Sequence, residues 1–313
     1  MRPGCAHACA YGQRFAWSAH DMTARQVRPC PICSSSARPC YSAGQFLMFR
    51  CEGCRTAYVD PVPSDDFLRE FYSNYHLSAE LGGTYVQVES RMQADFPTKV
   101  AMAKRFGPTS GPIRLLDVGC GKGYFARAAL DAGIQAEGCD LSDSGVRHAI
   151  EKLGVKAYAG HIGELKQTIG PESFDVVTFW ATVEHLPDPI AVMRDMRDML
   201  KPGGVLLMDT GIGDDWLDRL VPGRVQWYDP PQHLFVFSGA GLAKAVEKAG
   251  FAVVHHDLCF ERSASRRLIR NVRNGVTAAI LRFGSELGRL KRDAFESTRF
   301  PMGNLQSIVA RKV

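Results

Sequence analysis

No stretch of this chain approaches the roughly 18 consecutive apolar residues that a membrane-spanning helix needs. The first 17 residues also lack the continuous apolar block of an export signal, so we expect a cytoplasmic protein. Glycine and proline, at 30 and 17 of 313 residues, are spread along the chain, which excludes a collagen-like or low-complexity protein. With 45% hydrophobic and 23% charged residues, the composition is that of a globular protein with one main domain and appendages.

Charge is small in total, +5, but unevenly distributed. Lys and Arg outnumber Asp and Glu in residues 1–60 and 261–313, whereas acids are in excess in residues 61–260. Basic ends of this kind can contact nucleic acid, anionic lipid or an acidic substrate, and they can equally be solvated surface. Charge alone does not decide between these partners.

The first 28 residues show no clear periodicity, and we expect a poorly ordered tail with Met22 as a candidate natural start. Cys5, His7 and Cys9 are close enough in sequence to share a metal ion. Three such residues in a featureless segment are more often bystanders, so no metal site is predicted there.

Four cysteines form two Cys-x-x-Cys pairs, Cys30 with Cys33 and Cys51 with Cys54, separated by 17 residues. A tetrahedral zinc ion takes four thiolates at about 2.3 Å, and a tight Cys-x-x-Cys turn aims two sulfurs at one point. Because four thiolates leave no open coordination position, we predict a structural zinc ribbon over residues 29–61. Cys40 lies between the pairs and is interpreted as a spare thiol, with replacement of one of the four ligands as the alternative.

Two helical patterns follow the ribbon. The first opens at Ser64, a candidate N-cap followed by acids, and the second covers roughly residues 86–105. The glycine and proline cluster at residues 107–112 predicts a domain boundary. We interpret residues 62–110 as a helical linker that covers the ligand site of the main domain, residues 111–313.

A strand, a glycine-rich turn and a helix are predicted beyond this boundary, in the sequence IRLLDVGCGKGYFARAALDAG. Gly119, Gly121 and Gly123 let the backbone turn sharply and approach a ligand at the helix N-terminus. A second strand ends in Asp140, where an acid is placed to accept hydrogen bonds from ribose hydroxyls. Asp117 directly precedes the glycines, and the Gly-x-Gly-x-x-Gly spacing of dinucleotide-binding folds is not present. The pattern therefore predicts a ligand that contains a nucleoside.

The sequence LLDVGCGKGYF resembles the first motif of class I S-adenosylmethionine-dependent methyltransferases, and GCDLS resembles the second. Later segments resemble the fourth, fifth and sixth strands, so the resemblance covers residues 111–260, with a seventh strand expected near the C-terminus. It implies an α/β fold, with a doubly wound, Rossmann-like, seven-stranded sheet, that binds S-adenosylmethionine. The cofactor-binding residues that it implies are Asp117, Gly119, Gly121, Gly123, Asp140, Leu141, Gly160, His161 and Trp180.

Three of these positions leave alternatives open. His161 stands where the family usually has an acid that contacts adenine, and a surface histidine is the alternative. Trp180, at the end of the fourth strand, either flanks the cofactor or packs in the core. Cys120 and Cys139 lie within the motifs, and we interpret them as small buried thiols rather than nucleophiles.

Two histidines are candidate general bases for methyl transfer to oxygen or carbon. His185 follows the fourth strand, where the family places its methyl-transfer pocket, and His233 lies in an aromatic segment, residues 211–238, that could form a lid. His233 is the favoured base; the alternative is that both histidines and the aromatics are structural. Glu184 and His185 resemble part of the metal site of ubiquinone-biosynthesis O-methyltransferases, but Ala181 replaces the further Glu of that site.

A helical stripe of apolar residues runs through a basic insertion, residues 262–300, interspersed with arginines. We favour a helix packed on the core between the sixth and seventh strands; weak contact with a membrane surface is the alternative. The stripe consists of Ile269, Val272, Val276, Ile280, Phe283, Leu287 and Leu290.

The function predicted is methyl transfer to a small molecule, such as a sugar, a lipid-linked intermediate or a secondary metabolite. A ribosomal RNA methyltransferase, with the ribbon contacting RNA, is the alternative, although the aromatic segment follows strand five and no base-methylating loop follows strand four. An inactive zinc-ribbon adaptor is disfavoured because Asp117, the glycines and Asp140 are all in place. No pattern in the sequence indicates an oligomeric state.

Overall fold

The computed structural model describes residues 27–73, 93–220, 223–258, 269, 272–277, 279–280 and 304–313. The strands are β1 (Ala37–Ala43), β2 (Phe46–Cys51), β3 (Ala57–Val59), β4 (Arg114–Val118), β5 (Gln135–Asp140), β6 (Lys156–Ala159), β7 (Phe174–Trp180), β8 (Leu200–Gly211), β9 (Phe235–Val236), β10 (Phe251–Asp257) and β11 (Leu305–Lys312). The helices are α1 (Asp65–Ser73), α2 (Phe96–Phe106), α3 (Tyr124–Asp131), α4 (Asp143–Leu153), α5 (Ile162–Ile169), α6 (Pro189–Met199), α7 (Trp216–Leu220) and α8 (Gly239–Lys248). Cys5, His7 and Cys9 lie outside the described residues.

The larger sheet has seven strands in the order β10-β11-β8-β7-β4-β5-β6. Strands β4 to β8 pair in parallel, and β11 is inserted antiparallel to both β8 and β10. Strand order reverses at β4, which has β5 on one side and β7 on the other, as in doubly wound folds. This arrangement confirms the predicted α/β fold class.

Both faces of this sheet are covered, so its central strands are almost continuously apolar. Successive residues of β4 enter two different hydrophobic clusters, with Leu115 packed among residues of α2, α3 and α4 and Leu116 among residues of α6 and α8. The period of two in β4 therefore sends alternate side chains to opposite faces of the sheet. The carboxyl ends of β4, β5, β7 and β8 remain at one common edge.

The cysteine ribbon forms the second sheet, in the order β1-β2-β3-β9, with every pair antiparallel. Strand β9 comes from the chain that follows β8, and it pairs Val236 with Ala57 and Phe235 with Tyr58. Buried Tyr58 and Met208 belong to one hydrophobic cluster that joins the ribbon to the large sheet. The domain limits remain a prediction, and this sheet crosses them.

The aromatic segment, residues 211–238, lies mostly inside the protein. Tyr228, Phe235 and Phe237 are fully buried, whereas Trp216 is 40% exposed. These three rings therefore close the core beside the ribbon, which is the structural alternative that the sequence left open.

The basic insertion is described only at residues 269, 272–277 and 279–280, which are helical. Ile269, Val272, Val276 and Ile280 are each 55 to 69% exposed, whereas Asn274 is buried. A Cβ on Gly275 would lie 3.5 Å from the Trp216 indole. The helix face that carries Asn274 and Gly275 therefore packs against the protein. The expectation that the stripe packs on the core is therefore wrong for these four residues. The other three, Phe283, Leu287 and Leu290, lie outside the described residues. Among the described helices, none is both long enough and apolar enough to cross a bilayer.

Candidate functional site

A glycine turn at the carboxyl end of β4 forms the floor of the candidate site. Gly119, Gly121 and Gly123 all have positive φ, between 52° and 80°. A Cβ on Gly119 would lie 2.6 Å from the Thr182 side chain, and one on Gly123 would lie 2.6 Å from Ala149. Glycine allows both the positive φ and the close approach of these side chains. Main-chain groups of the turn therefore lie uncovered beside the N-terminus of α3.

Asp140 ends β5 beside this turn, and its carboxylate is fixed by two backbone donors. Gly121 N donates to Oδ2 and Ser142 N donates to Oδ1, each at 2.8 Å. Each oxygen keeps a further lone-pair site, and the residue is only partly buried. The carboxylate is therefore oriented to accept hydrogen bonds from a pair of vicinal hydroxyls.

Asp117 lies at the end of β4 and is buried, with 3% exposure. Burial raises its pKa from 3.8 to about 7, and a hydrogen bond from Thr178 Oγ1 to Oδ1, 2.7 Å long, and the charge of Lys99 oppose this shift. The carboxyl group is thus poised between its two forms near neutral pH. A cationic ligand would favour the charged form.

Lys99 of α2 completes this edge of the sheet. Its ammonium lies 2.7 Å from Asp209 Oδ2 and 4.4 Å from the centroid of the Trp180 ring. Trp180 is buried, and its indole N–H has no hydrogen-bond partner within the described residues. Trp180 also packs edge-on against Phe125 within a hydrophobic cluster, which agrees with the core alternative that the sequence left open, and its role toward the cofactor stays a prediction. Lys99, Thr178 and Asp209 were not predicted from the sequence, where the only signal for them is one lysine on the buried side of α2.

The residues predicted to contact adenine are at the same edge. Gly160 N donates to Asp140 O at 3.0 Å, and Gly160 has a φ of +133°. Leu141, beside Asp140, is 50% exposed and offers an apolar surface. His161 is exposed at the start of α5, and its side chain caps no backbone group of that helix. These positions are compatible with a purine.

His185 and His233 lie against each other, with ring centroids 4.9 Å apart. His185 Nδ1 is 2.7 Å from Gln232 O, and His233 Nδ1 is 2.9 Å from Trp227 O. Since a carbonyl oxygen only accepts, each Nδ1 atom donates, and in a neutral imidazole Nε2 is then the lone-pair acceptor. The structure therefore brings the two predicted bases together in the base-competent tautomer.

Glu184 places a third polar group in this cluster. It is buried, burial raises its pKa, and its Oε2 has no hydrogen-bond partner among the described residues. Burial also lowers the pKa of His233 from 6.5 to about 3, with a further contribution from His185. Ligand atoms of Glu184, His185 and His233 lie within 4.8 Å of one another, so the three could together hold a metal ion.

The four ribbon cysteines converge as predicted from their spacing. Cys30 Sγ lies 3.7 Å from Cys54 Sγ, and Cys33 Sγ lies 3.3 Å from Cys51 Sγ. Four sulfurs about 2.3 Å from a tetrahedral zinc would be about 3.8 Å apart, so the cluster nearly has the dimensions of that site. The thiol of Cys40 donates a hydrogen bond to Met48 O at 3.4 Å and is not part of the cluster. The four thiols are thus compatible with structural zinc.

Cys120 and Cys139 are weak nucleophile candidates. Burial raises the pKa of both thiols, which disfavours the reactive thiolate. A Cβ on Gly138 would lie 2.7 Å from Cys120 Sγ, so this thiol fills a tight space between the turn and β5. Their position agrees with a packing role.

Comparisons with known proteins place these elements in a family. A family model described as "Methyltransferase domain" matches residues 89–256, slightly more than half of the chain. A curated protein named ubiquinone biosynthesis O-methyltransferase from Xanthomonas campestris pv. campestris (strain B100) is 33% identical over 130 residues, which cover 37% of this chain and 54% of that protein. A protein of the same name from Ralstonia nicotianae is 34% identical over 118 residues, covering 36% and 49%. The chain thus spans about half the length of these curated relatives.

Among solved structures, a chain from the complex between the Haloferax volcanii Trm112 methyltransferase activator and a methyltransferase has a TM-score of 0.51. It is 18% identical, and the match covers 78% of this chain and 96% of that chain. At this identity the likeness is one of fold.

Proposed function

We propose that this chain, which belongs to the methyltransferase domain family, transfers a methyl group from S-adenosylmethionine to an oxygen atom of a small molecule. The observation that carries the proposal is the contact between His185, which follows β7, and His233, which precedes β9. Each Nδ1 faces a carbonyl oxygen, so in the neutral imidazole Nε2 is the atom that can accept a proton. The name that the curated relatives carry, O-methyltransferase, supports oxygen as the acceptor atom. Carbon is the other acceptor that would need a base.

The proposed cofactor residues fit S-adenosylmethionine. Asp140 would accept hydrogen bonds from the ribose hydroxyls, and Leu141, Gly160 and His161 would contact the adenine. Asp117 would face the cationic amino-acid end beside the backbone of the glycine turn, and Trp180 would flank the ligand. The cofactor supplies an electrophilic methyl group, so the chain must align the acceptor, exclude water and remove a proton.

For the proton, we propose His185 as the base and His233 as its neutral partner. His233 is the base that the sequence pattern favours, but burial lowers its pKa to about 3, which makes the protonated form costly. His185 is only partly buried. Burial raises the pKa values of Glu184 and Asp229, and a positive charge on His185 opposes that shift. Two acids are therefore near enough to stabilise a protonated His185.

Replacing each histidine by alanine tests this assignment. His185→Ala should slow turnover by about a hundred-fold to ten-thousand-fold while leaving S-adenosylmethionine affinity unchanged. His255→Ala is the matched control, since His255 is exposed on the edge strand β10 and belongs neither to the histidine pair nor to the proposed cofactor residues. Near-normal turnover in both His185→Ala and His233→Ala would show that alignment alone, or another residue, carries the reaction.

The acceptor class is tested with labelled S-adenosylmethionine against a small-molecule extract and against total RNA in parallel. Label in a small molecule, such as a sugar, a lipid-linked intermediate or a secondary metabolite, is the expected result. Label in RNA alone would overturn it in favour of an RNA methyltransferase.

Location and membrane contact form a separate part of the proposal. Reduced cysteines throughout the described residues fit a reducing compartment such as the cytoplasm. The exposed apolar stripe, with exposed Arg273 beside it, fits weak contact with an anionic membrane surface. Co-sedimentation with phosphatidylglycerol vesicles should fall in Ile269→Ser/Val276→Ser, and unchanged binding would refute that contact.

A further inference from the structure

The chain segment that carries His233, residues 225–236, is attached to the cysteine ribbon at its C-terminal end. Beyond the pairing of β9 with β3, Val59 N donates to Leu234 O at 2.9 Å. Leu234 N in turn donates to Glu184 O at 2.8 Å. The backbone of one residue thus joins the ribbon to the turn that carries His185.

Near its N-terminal end, the segment is attached through Tyr228 to a buried ion pair between the ribbon and α7. Arg50, on β2 of the ribbon, lies 2.6 Å from Asp218 Oδ2 and donates to the Tyr228 hydroxyl. The same hydroxyl donates to Asp218 Oδ2 at 3.2 Å. Arg50, Asp218 and Tyr228, which we call the Arg50 triad, are 5%, 1% and 0% exposed. Removing Arg50 would leave the buried Asp218 carboxylate with backbone donors, the N–H groups of Asp214 and Gly223, but without its ion-pair partner, which is unfavourable.

The triad is connected to the histidine pair through the main chain. Tyr228 follows Trp227, whose carbonyl oxygen accepts the Nδ1 proton of His233. Holding the Tyr228 side chain therefore holds the acceptor that orients the imidazole and fixes its tautomer. At the other end, Leu234 holds the Glu184 carbonyl one residue before His185.

We propose that the ribbon positions the acceptor side of the methyl-transfer site, with Arg50 as the principal positioning residue. The ribbon anchors residues 225–236 at Tyr228 and at β9. These two attachments fix the positions of the His185 and His233 imidazoles relative to each other. The inference rests on the proposed function for its chemical meaning. The placement of the segment can be measured without any acceptor.

The test is hydrogen exchange measured by mass spectrometry on the full chain. In Arg50→Met, amides of residues 225–236 and 183–187 should exchange on the order of ten-fold or more faster, because the buried Asp218 carboxylate loses its ion-pair partner. Residues 114–123, the cofactor turn, should keep their protection, and S-adenosylmethionine affinity should stay the same. Arg50→Lys should restore part of the protection, since an ammonium can reach the carboxylate but cannot contact both partners as a guanidinium does.

Arg55→Met is the matched control. Arg55 also joins the ribbon to the segment before α7, through Asp214 at 3.3 Å, but its side chain is 38% exposed and does not belong to the triad. Exchange in residues 225–236 should change by no more than about two-fold in this variant. Equal effects of Arg50→Met and Arg55→Met would overturn the proposal, as would unchanged exchange in Arg50→Met.

A second variant covers the outcome in which Arg50→Met does not fold. Tyr228→Phe keeps the ring and removes only the hydroxyl that joins the triad, and it should speed exchange in the same two peptides. Normal protection there would refute the positioning role. Absence of methyl transfer by the wild-type chain, with the exchange results as expected, would count against the proposed function alone.

Discussion

Raising the pH from 6 to 7.5 should tighten S-adenosylmethionine binding, because the buried carboxyl of Asp117 must ionise to face a cationic ligand. Burial raises the pKa of this group from 3.8 to about 7, so the neutral form persists well above the usual range of an aspartic acid. A ligand that binds only the ionised form has its apparent affinity reduced by the fraction of protein in that form. Affinity therefore rises as pH passes through the pKa.

The magnitude follows from a pKa of about 7. Asp117 would be ionised in about a tenth of molecules at pH 6 and in about three quarters at pH 7.5, a ratio of about eight-fold. Titration calorimetry measures this change directly. At pH 6, experiments in two buffers of different ionisation enthalpy should also show release of nearly one proton per ligand bound.

Two variants separate Asp117 from other titrating groups. Asp117→Asn should bind weakly and lose this component of the pH dependence, so what remains is the titration of the ligand itself. Thr178→Val removes the hydrogen bond to Asp117 Oδ1 and should move the rise in affinity to higher pH, since that bond favours the charged form. Equal affinity at pH 6 and 7.5 in the wild-type chain, or the same pH dependence in Asp117→Asn, would refute the reasoning.

The ribose and zinc assignments can be tested on the same preparations. Asp140→Ala should weaken S-adenosylmethionine binding by about ten-fold or more, about 1.5 to 3 kcal/mol. Asp143→Ala, at an exposed position, should leave binding unchanged. Equal affinities in the two variants would contradict the ribose contact. Elemental analysis should find one zinc per chain, lost in Cys51→Ser and kept in Cys40→Ser. A chain without zinc, purified without chelator, would exclude the structural site, and a second metal equivalent lost in His233→Ala would assign a metal to the Glu184 cluster.

Local patterns predicted the parts of the site that a short segment determines by itself. The glycine turn, Asp117 and Asp140 belong to one strand-turn-helix-strand unit, so their spacing already fixes a common edge. The ribbon cysteines were also readable, because each Cys-x-x-Cys turn aims two sulfurs at one point. In both cases, the geometry depends on neighbours within a few residues or on one strand pairing.

Contacts across the fold were not readable in the same way. Lys99 reaches Asp209 across 110 positions, and the sequence shows only a lysine in an amphipathic helix. The apolar stripe that begins at Ile269 shows what helical periodicity does not predict. A period of 3.6 establishes that a helix has an apolar face, but not which surface that face meets, and here buried Asn274 occupies the inner face.

For the two candidate bases, a local pattern and a contact between distant parts of the chain both matter. His185 and His233 could each be named from the sequence, since each is a titratable group near a predicted pocket, but their contact joins residues 48 positions apart and appears only in the fold. The proposed ranking of the two bases follows from their surroundings and not from their sequence neighbours. Burial lowers the pKa of the more deeply enclosed His233 to about 3, while His185 keeps partial solvent access and has Glu184 and Asp229 nearby. If His185 is the base, the choice between the two depends on how the fold encloses each ring, which the segment around either histidine does not determine.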